Sequence, residues 1–359
     1  MIYLDHAATT PLCETARKAI IEHLDDFGNP SSSHELGRQA RVLIEDARER
    51  IAKCINAEPE EIYFTSGGSE ANTWALNQFD VISSNIEHHS INTKYNFPVK
   101  KNGVVSASGE CWCTECWMTG LASCMYVNNE LGTIQPIQSL ANIAHSKHKW
   151  FHTDAVQAMG HIPIDVKALN CDMLSASGHK FGAPKGIGFL YVKKNGPELD
   201  RLIFGGKQER GMRGGTENVL GIISMATALE DAVQHMEERN ARIKSLRDNM
   251  LDKLLQIPGS HINGSLENRV PGNINIRFDG VSGSKLVTLC SLYDVYISSG
   301  SACNEGIATP SHVLKAIGLS DEEALSSVRI TIGHENTEEE IDEATNIITL
   351  LVEKIRDGI

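Results

Sequence analysis

Ser175-Ala176-Ser177-Gly178-His179-Lys180-Phe181-Gly182 continues a short run that begins at Met173. An apolar start, small residues, then an imidazole and an amine read as an interior strand over 173–176 that delivers side chains past its carboxyl end. In open α/β sheets that edge is where ligands bind. A lone lysine there is most often a solvated surface residue, so the reading depends on what its neighbours in the sheet carry.

Two neighbours carry chemistry of their own. Phe151-His152-Thr153-Asp154-Ala155-Val156-Gln157 sets an aspartate after a strand over 150–153; taken alone it reads equally as a helix N-cap. Thr65-Ser66-Gly67-Gly68-Ser69-Glu70 is a glycine- and hydroxyl-rich turn between a strand (61–65) and a helix, where free N–H groups and the helix dipole favour an anion. Further outward, 81–84 reads as a strand, and 14–26 and 35–55 as helices, the second with Leu36, Ala40, Leu43, Ile44, Ala47 and Ile51 at three- and four-residue steps. This alternation predicts an α/β fold with a parallel sheet covered by helices. Residues 223–256 read as one long charge-rich helical region closed by Pro258-Gly259. Beyond it, strands at 273–278 and 328–332 and helices near 311–317 and 337–356 predict a smaller α+β domain. The expected division is a large domain over 13–256, with 1–12 and 257–359 forming the small one.

Composition limits the function classes. The 359 residues are 41% apolar and 22% charged, which excludes disorder as the main state. Thirty-three basic against 46 acidic side chains give a net charge of −13, so neither general nor direct nucleic-acid binding is expected. No apolar stretch approaches a membrane span, and MIYLDHAATTPL lacks a basic-then-apolar leader pattern, so a cytoplasmic protein off the membrane is expected. Nine cysteines, an odd count in a long chain, argue against a disulfide framework.

The cradle, the aspartate and the lysine together are the set that pyridoxal phosphate requires. The lysine forms the Schiff base, the aspartate keeps the pyridine nitrogen protonated, and the turn holds the phosphate. Eight stretches then carry a family resemblance: Leu4-Asp5-His6-Ala7-Ala8-Thr9-Thr10-Pro11, Gly28-Asn29-Pro30-Ser31-Ser32, Thr65-Ser66-Gly67, Val127-Asn128-Asn129-Glu130, His152-Thr153-Asp154-Ala155, Ser177-Gly178-His179-Lys180, RGMRGGTEN over 210–218, and Ser298-Ser299-Gly300-Ser301-Ala302-Cys303. In order and combination they resemble the cysteine desulfurases, class V aminotransferase-like members of the fold-type I pyridoxal-phosphate enzymes. That resemblance implies a mainly parallel, seven-stranded-type sheet in the large domain.

The resemblance also implies roles. Lys180 is the Schiff-base lysine, Asp154 the pyridine-nitrogen partner, Gln157 the donor to the phenolic oxygen and His88 the imidazole stacked on the ring. Ser177, His179, Gly68 and Ser69 are implied phosphate ligands; the turn has Gly-Ser where the family usually has Ala-Thr. Thr216 would reach the phosphate of a neighbouring subunit, which implies a homodimer. Asn129 and Arg329 would take the substrate carboxylate, for which a guanidinium is suited. Cys303, in a small-residue stretch, would be the nucleophile that takes sulfur from L-cysteine as a persulfide, leaving L-alanine. Its spacing to Pro310 resembles the long-loop group, which passes sulfur to acceptor proteins for iron–sulfur assembly or tRNA thiolation.

Two readings compete with a desulfurase: a selenocysteine lyase or other β-lyase of the same fold, and a non-catalytic sulfur-transfer scaffold. Residues 77–86 and 91–125 match the family poorly and are contracted. The second contains Cys111, Cys113 and Cys116, with Cys124 beyond. This cluster could hold zinc or an iron–sulfur centre, but only Cys113 and Cys116 have the knuckle spacing, so no metal is expected. Cys13, Cys54, Cys171 and Cys290 read as small core or surface residues.

Overall fold

The computed structural model describes residues 1–106, 119–299 and 309–358, with the backbone of 303–304 and 307–308. The chain runs β1 (Ile2–Tyr3), α1 (Glu14–Glu22), α2 (Glu35–Cys54), β2 (Ile62–Thr65), α3 (Gly68–Leu76), β3 (Val81–Ser84), β4 (Tyr95–Phe97), β5 (Leu121–Ser123), α4 (Ile137–Ser146), β6 (Trp150–Asp154), α5 (Val166–Leu169), β7 (Met173–Ser177) and β8 (Gly188–Val192). It continues through α6 (Val219–Gln234), α7 (Met236–Leu254), β9 (Ser260–Ile262), β10 (Asn273–Phe278), α8 (Gly283–Leu292), β11 (Val295–Tyr296), β12 (Cys303–Asn304), β13 (Ile307–Ala308), α9 (His312–Ala316), α10 (Asp321–Leu325), β14 (Ser327–Thr331) and α11 (Glu338–Arg356).

Seven strands form one sheet in the order β2-β8-β7-β6-β5-β3-β4. Every pair is parallel except the two made by β8, which runs against both neighbours. The two reversals around β8 restore the direction of β2. The carboxyl ends of β2, β3, β5, β6 and β7 therefore share one edge. β7 (Met-Leu-Ser-Ala-Ser) is buried along its whole length, as a strand covered by helices on both faces must be. Helix α2 presents Ile44, Ala47 and Ile51 to the same core that takes Ile222, Met225 and Leu229 of α6.

A second core gathers Ile2 and Leu4 with Ile243, Leu246 and Met250 of α7, Ile274 and Ile276 of β10, Val328 and Ile330 of β14, and one face of α11. Its sheet has the order β14-β10-β9, antiparallel throughout. Helix α11 opens with a reciprocal Thr337–Glu340 capping box.

The helical region expected over 223–256 is two helices, not one. α6 ends at Gln234, and His235 (φ −105°, ψ 10°) breaks the ladder before α7. α6 serves the first core and α7 the second, a demand a straight helix could not meet. The helix expected over 14–26 stops at Glu22, short of Gly28-Asn29-Pro30.

Candidate functional site

Strand termini converge on a solvent-open cleft with about 830 Å³ of non-protein space. It is lined by Gly68, Ser69, His88, Asn129, Asp154, Gln157, Ser177, His179, Lys180 and Arg329. Thr216 does not line it. Thr216 is exposed on the turn before α6. Of Cys303 only the pairing of its strand with β13 is described, and Cys111, Cys113 and Cys116 lie outside the described residues. Cys124 is fully buried in the main core, and burial holds its thiol well above the ordinary value.

The turn after β2 has the build of an anion cradle. Gly67 takes φ +150°, and at Gly68 a β-carbon would stand 2.6 Å from Val156 Cγ2. Glycine at position 68 lets the first turn of α3 sit close against the segment after β6 without displacing the Val156 side chain. The first turn of α3 lines the cleft together with Ser177, where a helix N-terminus favours an anion.

Lys180 follows β7 on a single 3₁₀ turn, Gly178–Lys180. Its Nζ donates to the carbonyls of Ala7 (2.7 Å) and Ala8 (2.8 Å), on the segment that follows β1. Burial, then the positive charge of Arg329, lowers its amine to about 8. His179 Nδ1 pairs with Thr9 Oγ1 at 3.1 Å, and burial followed by Lys180 and Lys185 keeps it neutral down to about 4. Gln157 Nε2 donates to Ala7 O at 2.9 Å.

Asp154 ends β6 and is buried, 4% exposed, where it lines the cleft. Val156 N–H donates to Oδ1 (2.9 Å) and Asn72 Nδ2 to Oδ2 (2.7 Å), while burial pushes the carboxyl up. Arg329 projects from β14: Nη1 donates to Asn129 O (2.9 Å), Nη2 pairs with Asp5 Oδ1 (2.7 Å), and Nε is buried with no partner among the described residues.

Four contributors were missed by sequence reasoning. Asn72 and Ser90 bond to site residues directly, and only the folded positions of α3 and the loop after β3 reveal it. Glu87 is fully enclosed, accepts from Ser84 Oγ and from Met125 N (2.9 Å), and is pushed by burial up to about 8. Glu130 accepts from Ser311 Oγ at 2.5 Å and is pushed by burial to about 7. Their only signal in the sequence is adjacency to His88 and Asn129.

The profile of the class V aminotransferase family matches residues 2–344. A protein of Methanosarcina thermophila named cysteine desulfurase IscS is 41% identical over 378 residues, covering 99% of this chain and 93% of the relative. Another of that name, from Dictyoglomus turgidum, is 41% identical over 377 residues, covering 99% and 95%. The solved structure of a NifS-like protein from Rickettsia africae superposes with a TM-score of 0.90 at 33% identity over 99% of both chains. A parallel-rich seven-stranded sheet, a strand-end lysine and a strand-end aspartate, together with these matches, define a class V aminotransferase-family protein. Within that family the chain belongs with the cysteine desulfurases.

Proposed function

We propose that this chain holds pyridoxal 5'-phosphate in the cleft and uses it to convert L-cysteine to L-alanine, leaving a persulfide on Cys303 for a sulfur-acceptor protein of iron–sulfur assembly or tRNA thiolation. The observation that carries the reading is that Lys180, Asp154, the α3 turn and Arg329 face one cleft. These residues fit the cofactor. The α3 turn with Ser177 and His179 would take the phosphate, Asp154 the pyridine nitrogen, His88 a ring face and Lys180 the aldehyde. When bound, the cofactor supplies an electron sink for the substrate carbanion.

The residues of the chain do the rest. Arg329, pinned through Nη1 and Nη2, receives the substrate carboxylate beside Asn129. Lys180, with an amine close to neutral, takes the α-proton and returns it. Asp154, burdened by burial yet held by two donors, suits a carboxylate that shares a proton with a ring nitrogen. The Cys303 thiolate forms an S–S bond to the substrate sulfur as the C–S bond breaks. The electron pair left on the carbon fragment is matched by a proton, giving alanine. Thr216, on its exposed turn, completes the phosphate site of a second copy, so the working form is a homodimer. No described helix is long and apolar enough to cross a membrane; we place the enzyme in the cytoplasm.

The test is incubation with L-cysteine, following alanine, persulfide and visible absorbance. Cys303→Ala is expected to keep the cofactor's absorbance and lose persulfide, whereas Lys180→Ala loses the absorbance. Full activity of Cys303→Ala would overturn the nucleophile assignment.

A further inference from the structure

Asp154 and His88 are joined by a continuous chain of hydrogen bonds through two residues that the family resemblance does not bring into the site. The Asn72 amide divides its two hydrogens, one to Asp154 Oδ2 at 2.7 Å and one to Ser90 Oγ at 2.9 Å. Ser90 Oγ lies 2.8 Å from His88 Nδ1, and the Ser90 backbone N–H donates to the same nitrogen at 3.1 Å. Because an amide nitrogen can only donate, the serine oxygen accepts from Asn72, and its own hydrogen is free for the imidazole. His88 Nδ1 is therefore an acceptor, and the ring hydrogen sits on Nε2.

We propose that Asn72 and Ser90 are positioning residues that fix the tautomer of His88 and couple it to Asp154. This deepens the desulfurase reading and rests on it, since it takes His88 and Asp154 as the two groups that face the cofactor ring. With Nδ1 engaged, Nε2 is the one ring nitrogen left to face cofactor and substrate, and it carries a hydrogen. His88 then acts as a donor at that atom while Lys180 serves as the base. Donation into Nδ1 disfavours the imidazolium, in line with a pKa below the ordinary histidine value, to which burial contributes most. The charged or titratable groups facing the ring are Asp154, His89, Lys180 and His312.

The experiment compares Ser90→Ala, Ser90→Thr and Asn72→Ala holoenzymes with the parent. In Ser90→Ala the amide of residue 90 still reaches Nδ1, so the loss is partial: kcat is expected to fall about tenfold with KM within about twofold. The acidic limb of the kcat–pH profile moves to higher pH, because removal of a donor to Nδ1 favours the imidazolium. Ser90→Thr, which keeps the hydroxyl, restores both. Asn72→Ala repeats the kcat loss and shifts the visible band of the bound cofactor, because Asp154 loses a donor. An unmoved pH profile in Ser90→Ala, equal losses in the alanine and threonine variants, or cofactor loss that tracks the loss of kcat would each overturn the proposal. Failure of the parent reading looks different: the unmodified protein would give no cofactor absorbance or no alanine.

Discussion

Lys180 shows how far one side chain's chemistry follows from its place. Its two carbonyl acceptors favour the ammonium form, yet burial and Arg329 outweigh them and bring the amine to about 8. An amine attacks an aldehyde only when unprotonated, and a lysine at its ordinary value of 10.5 would be almost wholly charged at neutral pH. Below the lowered value the fraction of free amine rises about tenfold per pH unit, and above it the fraction is constant. Cofactor-free protein mixed with pyridoxal phosphate is therefore expected to regain visible absorbance at a rate that climbs to about pH 8 and then levels. A climb that continues to pH 10 would show that Arg329 and burial do not act on Lys180 as described. Lys180 and Asp154 were legible in the sequence because each follows a short strand and a change to small or polar residues. Asn72 and Ser90 were not: one reads as a polar residue on a helix, the other as a loop serine. Their function lies in the 2.7–2.9 Å spacings that the crossing of α3 and the loop after β3 creates.

Among the elements, the sheet edge is held where α2, β2 and the turn before α6 meet. Arg48 of α2 reaches Glu209 with both terminal nitrogens, Nη1 to Oε2 at 2.8 Å and Nη2 to Oε1 at 2.9 Å, and Nη1 also donates to Ile62 O. Glu209 in turn accepts from the backbone N–H of Phe64 in β2, and takes a left-handed conformation (φ 43°) to do so. Both side chains are 3% exposed, so removing Arg48 strands the Glu209 carboxylate out of water. Arg48→Ala is expected to cost about 3–5 kcal/mol in denaturant unfolding, far above a surface pair. A loss under about 1 kcal/mol would mean that water fills the gap and the pin is dispensable. The sequence did reveal α2 through its apolar spacing, and β2 as a strand before a glycine turn. It concealed the pin, because Glu209 and Arg210 lie in a stretch whose left-handed turn no glycine at those positions announces. The break at His235 was hidden for a related reason. Neither proline nor glycine marks it, and only the need of α6 and α7 to face different cores makes it.

The whole molecule leaves one expected ligand of the cofactor outside its own cleft. Thr216 lies on a turn whose neighbour Gly214 donates its backbone N–H to Ile203 O, beside Phe204, which is 82% exposed. Phe27 and Ile21, at the α1 end of the molecule, are 81% and 63% exposed. Large apolar side chains left in water, Phe204 among them beside the Thr216 turn, suit a surface that a second copy covers. If Thr216 completes the partner's phosphate site, Lys180→Ala and Thr216→Asp proteins each fail alone, the first for lack of the amine and the second because a carboxylate opposes the phosphate. A hybrid dimer is different. The subunit with an intact Lys180 receives an intact Thr216 from its partner, so one of the two sites is whole. Random pairing makes about half the dimers hybrids, so about a quarter of the parent activity per site should return on coexpression or after mixing under conditions that exchange subunits. Activity no greater than the sum of the two variants, in a mixture shown by tagged pull-down to contain hybrids, would mean that each cleft is complete within its own chain.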